Sequence, residues 1–254
     1  MEPRVVITAS TGAFPGLADA LRSIPVAVEE YPLMSFAPPL DWAGVDQAIG
    51  ELDRYQAVAF TSPLSAHGFL GRMAALGRSG HARGSVWAGG AGTSQALGQA
   101  LGPVRSPDER ATGDLGAAVA LAEALLMEGV QGPVLFPCGE LRRDELPALL
   151  TDRGVEVREA VCYRTVLADE ADARLVAERA QVLVVASPTV AALLARACPS
   201  AGRPALLAVG PTTEAAARAA GWAPAGVAAH PTAGALAAAV RSLLAADRPP
   251  TGAP

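Results

Sequence analysis

A buried strand that ends in Ser-Pro and turns at once into a helix occurs twice in this chain. Ala57-Val58-Ala59-Phe60-Thr61-Ser62-Pro63 leads into Leu64–Leu76, and Leu183-Val184-Val185-Ala186-Ser187-Pro188 leads into Thr189–Ala197. Proline at a first helical position needs no N–H, and the serine before it can cap the free N–H groups of the first turn. A second matching pair follows each: Trp87-Ala88-Gly89-Gly90-Ala91-Gly92-Thr93-Ser94 opens a helix, and so does Ala208-Val209-Gly210-Pro211-Thr212-Thr213. A further strand and helix come after each pair, entered through Thr112-Gly113-Asp114-Leu115 in one copy and Pro231-Thr232-Ala233-Gly234 in the other. Two copies of one strand–helix pattern predict two domains of one fold.

The fold class follows from the strands. Val5–Thr8, Ala57–Thr61, Val86–Ala88, Val134–Pro137, Val155–Val161, Val182–Ala186 and Leu206–Val209 are continuous apolar runs rather than alternating ones. Such runs fit parallel sheets covered by helices on both faces. Helices are expected near 64–76, 93–101, 114–128, 141–152, 188–198, 212–220 and 233–246, several of them ending at a glycine: Gly77, Gly102, Gly129, Gly154 or Gly221. This is α/β organisation with doubly wound parallel sheets. Hydrophobic residues at 51% with aromatics at only 4% supply two cores filled mainly by Ala, Val and Leu.

The leading unit, Val5–Arg22, has no counterpart at the start of the C-terminal copy, so a simple division into halves fails. Residues 1–33 are expected to pack with 168–254 as a discontinuous domain, and 40–161 to form the inserted one. The Pro-rich segment 34–39 and the stretch 162–167 are then two strand-like interdomain linkers, hinging a cleft in which the function is expected to sit. The tail Arg248–Pro254 is expected to be disordered.

Several chemistries are excluded or disfavoured. All 20 basic residues are Arg, so no phosphate-loop lysine, Schiff-base lysine or pyridoxal-phosphate anchor exists. A net charge of −5 offers no footprint for nucleic acid. Cys138, Cys162 and Cys198 are widely spaced, without the pattern of a zinc site or disulfide framework. No apolar run is long enough for a membrane span, and no signal peptide precedes Val5, so the cytoplasm is expected. Gly89-Gly90-Ala91-Gly92 does not satisfy a dinucleotide fingerprint in register and reads as a close-packed turn, which disfavours a nucleotide- or sugar-binding transferase. His67, His81 and His230 form no triad pattern.

Ligands of doubly wound sheets bind outside the carboxyl ends of the strands. Thr61, Ser62, Thr93, Ser94, Ser187, Thr212 and Thr213 lie at those ends in both copies. They offer hydroxyls and helix N-termini to an anion, or they simply cap their own helices. Tyr163, beside Arg164 and Thr165 in the second linker, carries a phenol that can donate a proton or hold a leaving hydroxyl; packing the hinge is the other reading.

These residues carry a resemblance to the uroporphyrinogen-III synthase family over nearly the whole chain. It runs through Phe60-Thr61-Ser62-Pro63, Gly90–Ser94, Leu135-Phe136-Pro137-Cys138-Gly139-Glu140 and Arg142-Arg143-Asp144-Glu145-Leu146. It continues through Val161-Cys162-Tyr163-Arg164-Thr165, Ala186-Ser187-Pro188, Val209-Gly210-Pro211-Thr212-Thr213 and Ala219-Ala220-Gly221-Trp222. The resemblance implies a cofactor-free, metal-free hydro-lyase that cyclises linear hydroxymethylbilane with loss of water and inversion of ring D. It implies Tyr163 as the residue that assists loss of the hydroxyl. Thr93 or Ser94, Ser187 and Thr213 are implied as hydroxyls lining the substrate. It also implies a monomer, supplied by the upstream bilane-forming enzyme. Counting back from Gly102 favours Ser94, and counting from Gly90 favours Thr93. Two departures are plain: the family's Thr-Arg after the first strand is here Thr8-Ala9, and Cys138 stands where the third strand often carries a basic residue. Substrate charge is then expected to be met elsewhere, by Arg142, Arg143 or Arg164. A hinged ligand sensor without the reaction is the alternative that the missing Thr-Arg supports.

Overall fold

The strand interiors show why this sequence builds parallel sheets. The computed structural model describes residues 2–10, 12–107 and 116–246. In it the chain divides into two compact units, Met1–Ser35 with Val166–Pro254, and Phe36–Thr165.

The first unit holds β1 (Arg4–Ile7), α1 (Leu17–Arg22), β2 (Ala27–Glu30), α7 (Glu170–Arg179), β9 (Val182–Val185) and α8 (Pro188–Ala197). It continues with β10 (Ala205–Ala208), α9 (Pro211–Ala219), β11 (Gly226–Val227) and α10 (Ala233–Ala246). Its sheet runs β11-β10-β9-β1-β2, and every neighbouring pair is parallel. Successive strand residues face opposite sides. Val6, Leu183 and Val185 enter one core with Val176 of α7 and Leu194 of α8. Val5, Ile7, Val182 and Val184 enter the other with Leu21 of α1 and Leu236 of α10. All four residues of β9 are buried, which is what makes its sequence continuously apolar.

The six-stranded sheet of the second unit has at its edge β3 (Met34–Ala37), whose first two residues belong to the first unit. The second unit continues with α2 (Ala43–Gly50), a 3₁₀ turn (Leu52–Arg54), β4 (Ala57–Phe60), α3 (Pro63–Ala75), β5 (Ser85–Ala88) and α4 (Ala91–Leu97). Then come β6 (Val104–Arg105), α5 (Ala117–Met127), β7 (Val134–Gly139), α6 (Glu145–Asp152) and β8 (Val157–Leu167). The sheet order is β3-β8-β7-β4-β5-β6, with β4–β5, β4–β7, β5–β6 and β7–β8 parallel. Val58 and Phe60 pack with Phe69 and Met73 of α3. Ala57 and Ala59 face Leu121 and Leu125 of α5 and Leu150 of α6.

Segments 34–39 and 162–167, expected as strand-like crossings, hold β3 and the end of the eleven-residue β8, and the chain passes from one unit to the other inside them, at 35/36 and 165/166. Extended chain beside a sheet satisfies its backbone polar groups by pairing. The helix expected over 93–101 stops at Leu97, because Gly98 takes φ 53° and breaks the helical path. The helix expected over 141–152 begins only at Glu145. The helix entry at Thr112–Leu115 and the tail Arg248–Pro254 lie outside the described residues.

Strand β2 and helices α2 and α7 are additions to the sequence reading. In α7 the buried stripe is only Ala173, Val176 and Ala177 among charged residues, and Asp169 starts the helix by accepting the Asp172 N–H at 2.8 Å. No described helix is long and apolar enough to cross a membrane.

Candidate active site

Each sheet reverses its strand order at one point, and such switch points open the crevice where doubly wound sheets take ligands. In the second unit the chain goes β4, β5, β6 in one direction and β7, β8 in the other, so the switch point lies between β4 and β7. In the first unit it lies between β1 and β9.

Thr61 and Ser62 leave the end of β4 half-buried. The Ser62 hydroxyl accepts the Ser65 N–H at 3.1 Å, and the Ser65 hydroxyl donates back to the Ser62 carbonyl at 2.9 Å. Ser62 is therefore a helix cap. Across the switch point, β7 ends at Gly139 beside Tyr163 of β8. The register there shifts: Cys138 pairs with Val161, while Gly139 pairs with Tyr163, leaving Cys162 as the extra residue of a bulge. The Glu140 N–H closes the bulge on the Tyr163 carbonyl at 2.9 Å. The half-buried Tyr163 ring lies over the Gly139 α-carbon and meets the Phe36 ring edge-on, 5.5 Å between centroids at 89°.

Arg142 stands near this strand end but is already engaged. Its guanidinium reaches Glu159 at 2.7 Å and Asp144 at 3.5 Å, and the Glu159 hydrogen bond raises its pKa further. A carboxylate of this protein thus already pairs with Arg142, the guanidinium expected to meet a substrate carboxylate. Arg164 donates Nε–H to the Pro38 carbonyl at 3.2 Å. Burial pushes the thiols of Cys138 and Cys162 up to about 12, so neither is a thiolate nucleophile near neutrality.

In the first unit the repeat is kept and its use differs. Ser187 precedes Pro188 as Ser62 precedes Pro63, yet its hydroxyl makes no cap; it points at the Met34 sulfur, 3.8 Å away. The Thr8 hydroxyl donates to the Val184 carbonyl at 3.0 Å, tying β1 to β9, and Ser10 donates to the Met34 carbonyl at 3.2 Å. Thr212 is exposed at the start of α9.

Within the internal repeat, Thr93 rather than Ser94 is the counterpart of Thr213. Thr93 is the third residue of α4 and Thr213 the third of α9. They are 4% and 3% exposed, and Leu97 and Ala217 are buried one turn later. Ser94 corresponds to the half-buried Glu214. Both threonine side chains turn inward, and the Thr213 hydroxyl donates to the Ala186 carbonyl at 3.0 Å. The Thr213 bond ties the start of α9 to the end of β9.

Two residues that the sequence reading did not single out as site residues, Gly139 and Phe36, frame Tyr163. A glycine ending a buried strand is a usable signal, because it marks a close approach of another group. Phe36 offered none within its Pro-rich surroundings. Among the described residues, no group of three or more His, Cys, Asp and Glu side chains gathers to hold a metal.

Comparison with known proteins agrees with this architecture. The uroporphyrinogen III synthase of Thermus thermophilus, in a methionine-substituted form, superposes with a TM-score of 0.63 at 17% identity, covering 96% of this chain and 100% of that one. The Helicobacter pylori uroporphyrinogen-III synthetase gives a TM-score of 0.52 at 16% identity, covering 97% and 100%. At these identities the likeness shows a shared fold. No curated protein matches the chain by sequence. The family model described as "Uroporphyrinogen-III synthase HemD" matches residues 16–238. By that match, which spans most of its length, the chain belongs to the uroporphyrinogen-III synthase family.

Proposed function

We propose that Tyr163 is the catalytic residue through which this chain performs its family's reaction. That reaction closes linear hydroxymethylbilane to uroporphyrinogen III, with loss of water and inversion of ring D. Physically it needs two things: departure of the terminal hydroxyl, and one geometry for a flexible polycarboxylate. The Tyr163 phenol donates its proton to the departing hydroxyl, which leaves as water. The azafulvene cation so formed is attacked by the last pyrrole through its substituted carbon. The spiro intermediate fragments and recloses with that ring inverted, and the proton released on final rearomatisation restores the phenol. The observation that carries this reading is the place of Tyr163: a half-buried phenol at the bulge that borders the β4–β7 switch point.

Substrate carboxylates are bound by N–H groups and hydroxyls at strand ends in each unit: Thr61 and the Gly92 and Thr93 N–H groups in one, Ser187 and the Thr212 and Thr213 N–H groups in the other. Helix N-termini bind anions without side-chain charge, which suits a chain whose net charge is −5. Ser62 and Ser94 take supporting places beside them, and Arg142 contributes only by exchanging Glu159 for a substrate carboxylate. The protein acts as a monomer in the cytoplasm, on bilane released by the upstream enzyme.

The test couples the purified protein to a bilane-generating enzyme and separates the oxidised porphyrin isomers. Predominantly type III product is expected. Type I alone, the product of spontaneous closure, overturns the reading and favours the ligand sensor to which Ala9 and the occupied Arg142 point.

A further inference from the structure

We propose that Gly139 and Phe36 are positioning residues that fix the Tyr163 phenol for the reaction; the proposal rests on the reading of Tyr163 given above. Gly139 is a glycine for the sake of its neighbour. Its φ is not in the left-handed region, so its backbone accepts any residue. A Cβ built there would lie 2.7 Å from Tyr163 Oη and from Cε2, and would also meet Cζ. What forbids a side chain at 139 is therefore the reactive end of Tyr163 itself. The ring fits only because the bulge at Cys138/Gly139 brings Tyr163 opposite Gly139.

Phe36 closes the other side. It sits on β3, the edge strand hydrogen-bonded to β8, and its ring meets Tyr163 at the edge-to-face geometry that aromatic pairs prefer. The chain just beyond it is fastened by the Arg164 Nε–H to the Pro38 carbonyl. Phe36 is 39% exposed, which is unusual for an aromatic side chain with only a core to fill. Glycine below and phenylalanine beside leave the phenol one position.

This arrangement separates positioning from folding. The atoms a methyl at 139 would strike are the far end of a half-exposed side chain. The protein absorbs that methyl by turning the ring, and what it loses is the place of the hydroxyl. Displacing a reacting group by about 1 Å costs on the order of a hundredfold in rate when geometry is catalytic.

The experiment measures kcat and KM for type III formation in the coupled assay for Gly139→Ala, Phe36→Leu and Tyr163→Phe, and for each of the first two combined with Tyr163→Phe. Gly139→Ala lowers kcat by roughly tenfold or more with KM within about twofold, and Phe36→Leu lowers kcat by about three- to tenfold. In the Tyr163→Phe background neither changes kcat further, because no hydroxyl remains to misplace. Equal losses in both backgrounds, or a raised KM with unchanged kcat, overturn the proposal. Should Gly139→Ala fail to fold, Phe36→Leu decides it, with Phe36→Tyr expected to retain kcat as the conservative replacement. A Tyr163→Phe enzyme with full kcat removes the underlying reading and this proposal together, an outcome distinct from failure of the Gly139 and Phe36 coupling alone.

Discussion

The two Ser-Pro helix starts are written alike and used differently. After β4, Ser62 turns its hydroxyl onto the Ser65 N–H and caps α3. After β9, Ser187 leaves α8 without a side-chain cap and directs its hydroxyl towards Met34. The strand across each switch point differs as well. In the second unit β7 ends in a glycine roofed by Tyr163. In the first, β1 ends in Thr8-Ala9-Ser10, whose two hydroxyls bond backbone carbonyls. Repetition sets where donors stand, and departures from it set what each place does. The second unit holds Tyr163, the group proposed to react, and the first holds Ser187, a hydroxyl that does not cap its own helix.

The thiols give the largest way to break the comparison. Cys138 and Cys162, both in the second unit, have pKa values raised by burial from 9.0 to about 12. Cys198 in the first unit is raised too, first by burial. A thiol with a raised folded pKa favours the folded state fully while both states are protonated. That contribution is withdrawn as pH rises from about 9 towards 12, because the unfolded chain then binds fewer protons. Peptide-resolved hydrogen exchange between pH 8 and 11 should show the second unit losing protection more steeply than the first. Cys138→Ala with Cys162→Ala should flatten the difference, and equal losses in both units before substitution would refute the asymmetry.

The serines give the next largest effect. Ser62→Ala should cost about 1 kcal/mol of stability as a lost helix cap, while Ser187→Ala should cost no more than about 0.5 kcal/mol. Their kinetics should reverse that order: Ser187→Ala raises KM by about threefold or more, and Ser62→Ala leaves it within about twofold. Thermal unfolding and the coupled assay on both variants check this. Matching costs in both measurements would return the two copies to equivalence.

Arg142→Gln should show the smallest effect. Its partners are partly exposed carboxylates of the same chain, so stability should fall by less than about 1 kcal/mol. KM should move by no more than about twofold; a rise of tenfold would restore Arg142 as a direct carboxylate partner.

Fold class was legible because β4 and β9 are buried on both faces, and their sequences record it as unbroken apolar runs. Helix α7 was not, since its core stripe consists of two alanines and a valine among charges. Strand β2 is the edge strand beside β1 and carries the half-buried Glu29, paired with Arg4, and the exposed Glu30, so its pattern carries little hydrophobic signal. Counting back from Gly102 overestimates the length of α4, because Gly98 ends that helix first. Tyr163 was legible as a residue, but its setting was not. The bulge that places it over Gly139 is a property of strand pairing, and no local pattern announces it.

The central claim is that one hydroxyl, on Tyr163, drives loss of water. Isomer-resolved turnover of Tyr163→Phe tests it most directly, with folding checked by circular dichroism. The account predicts native secondary structure with kcat for type III reduced by about a hundredfold or more. A folded Tyr163→Phe enzyme that makes type III at the wild-type rate would contradict it.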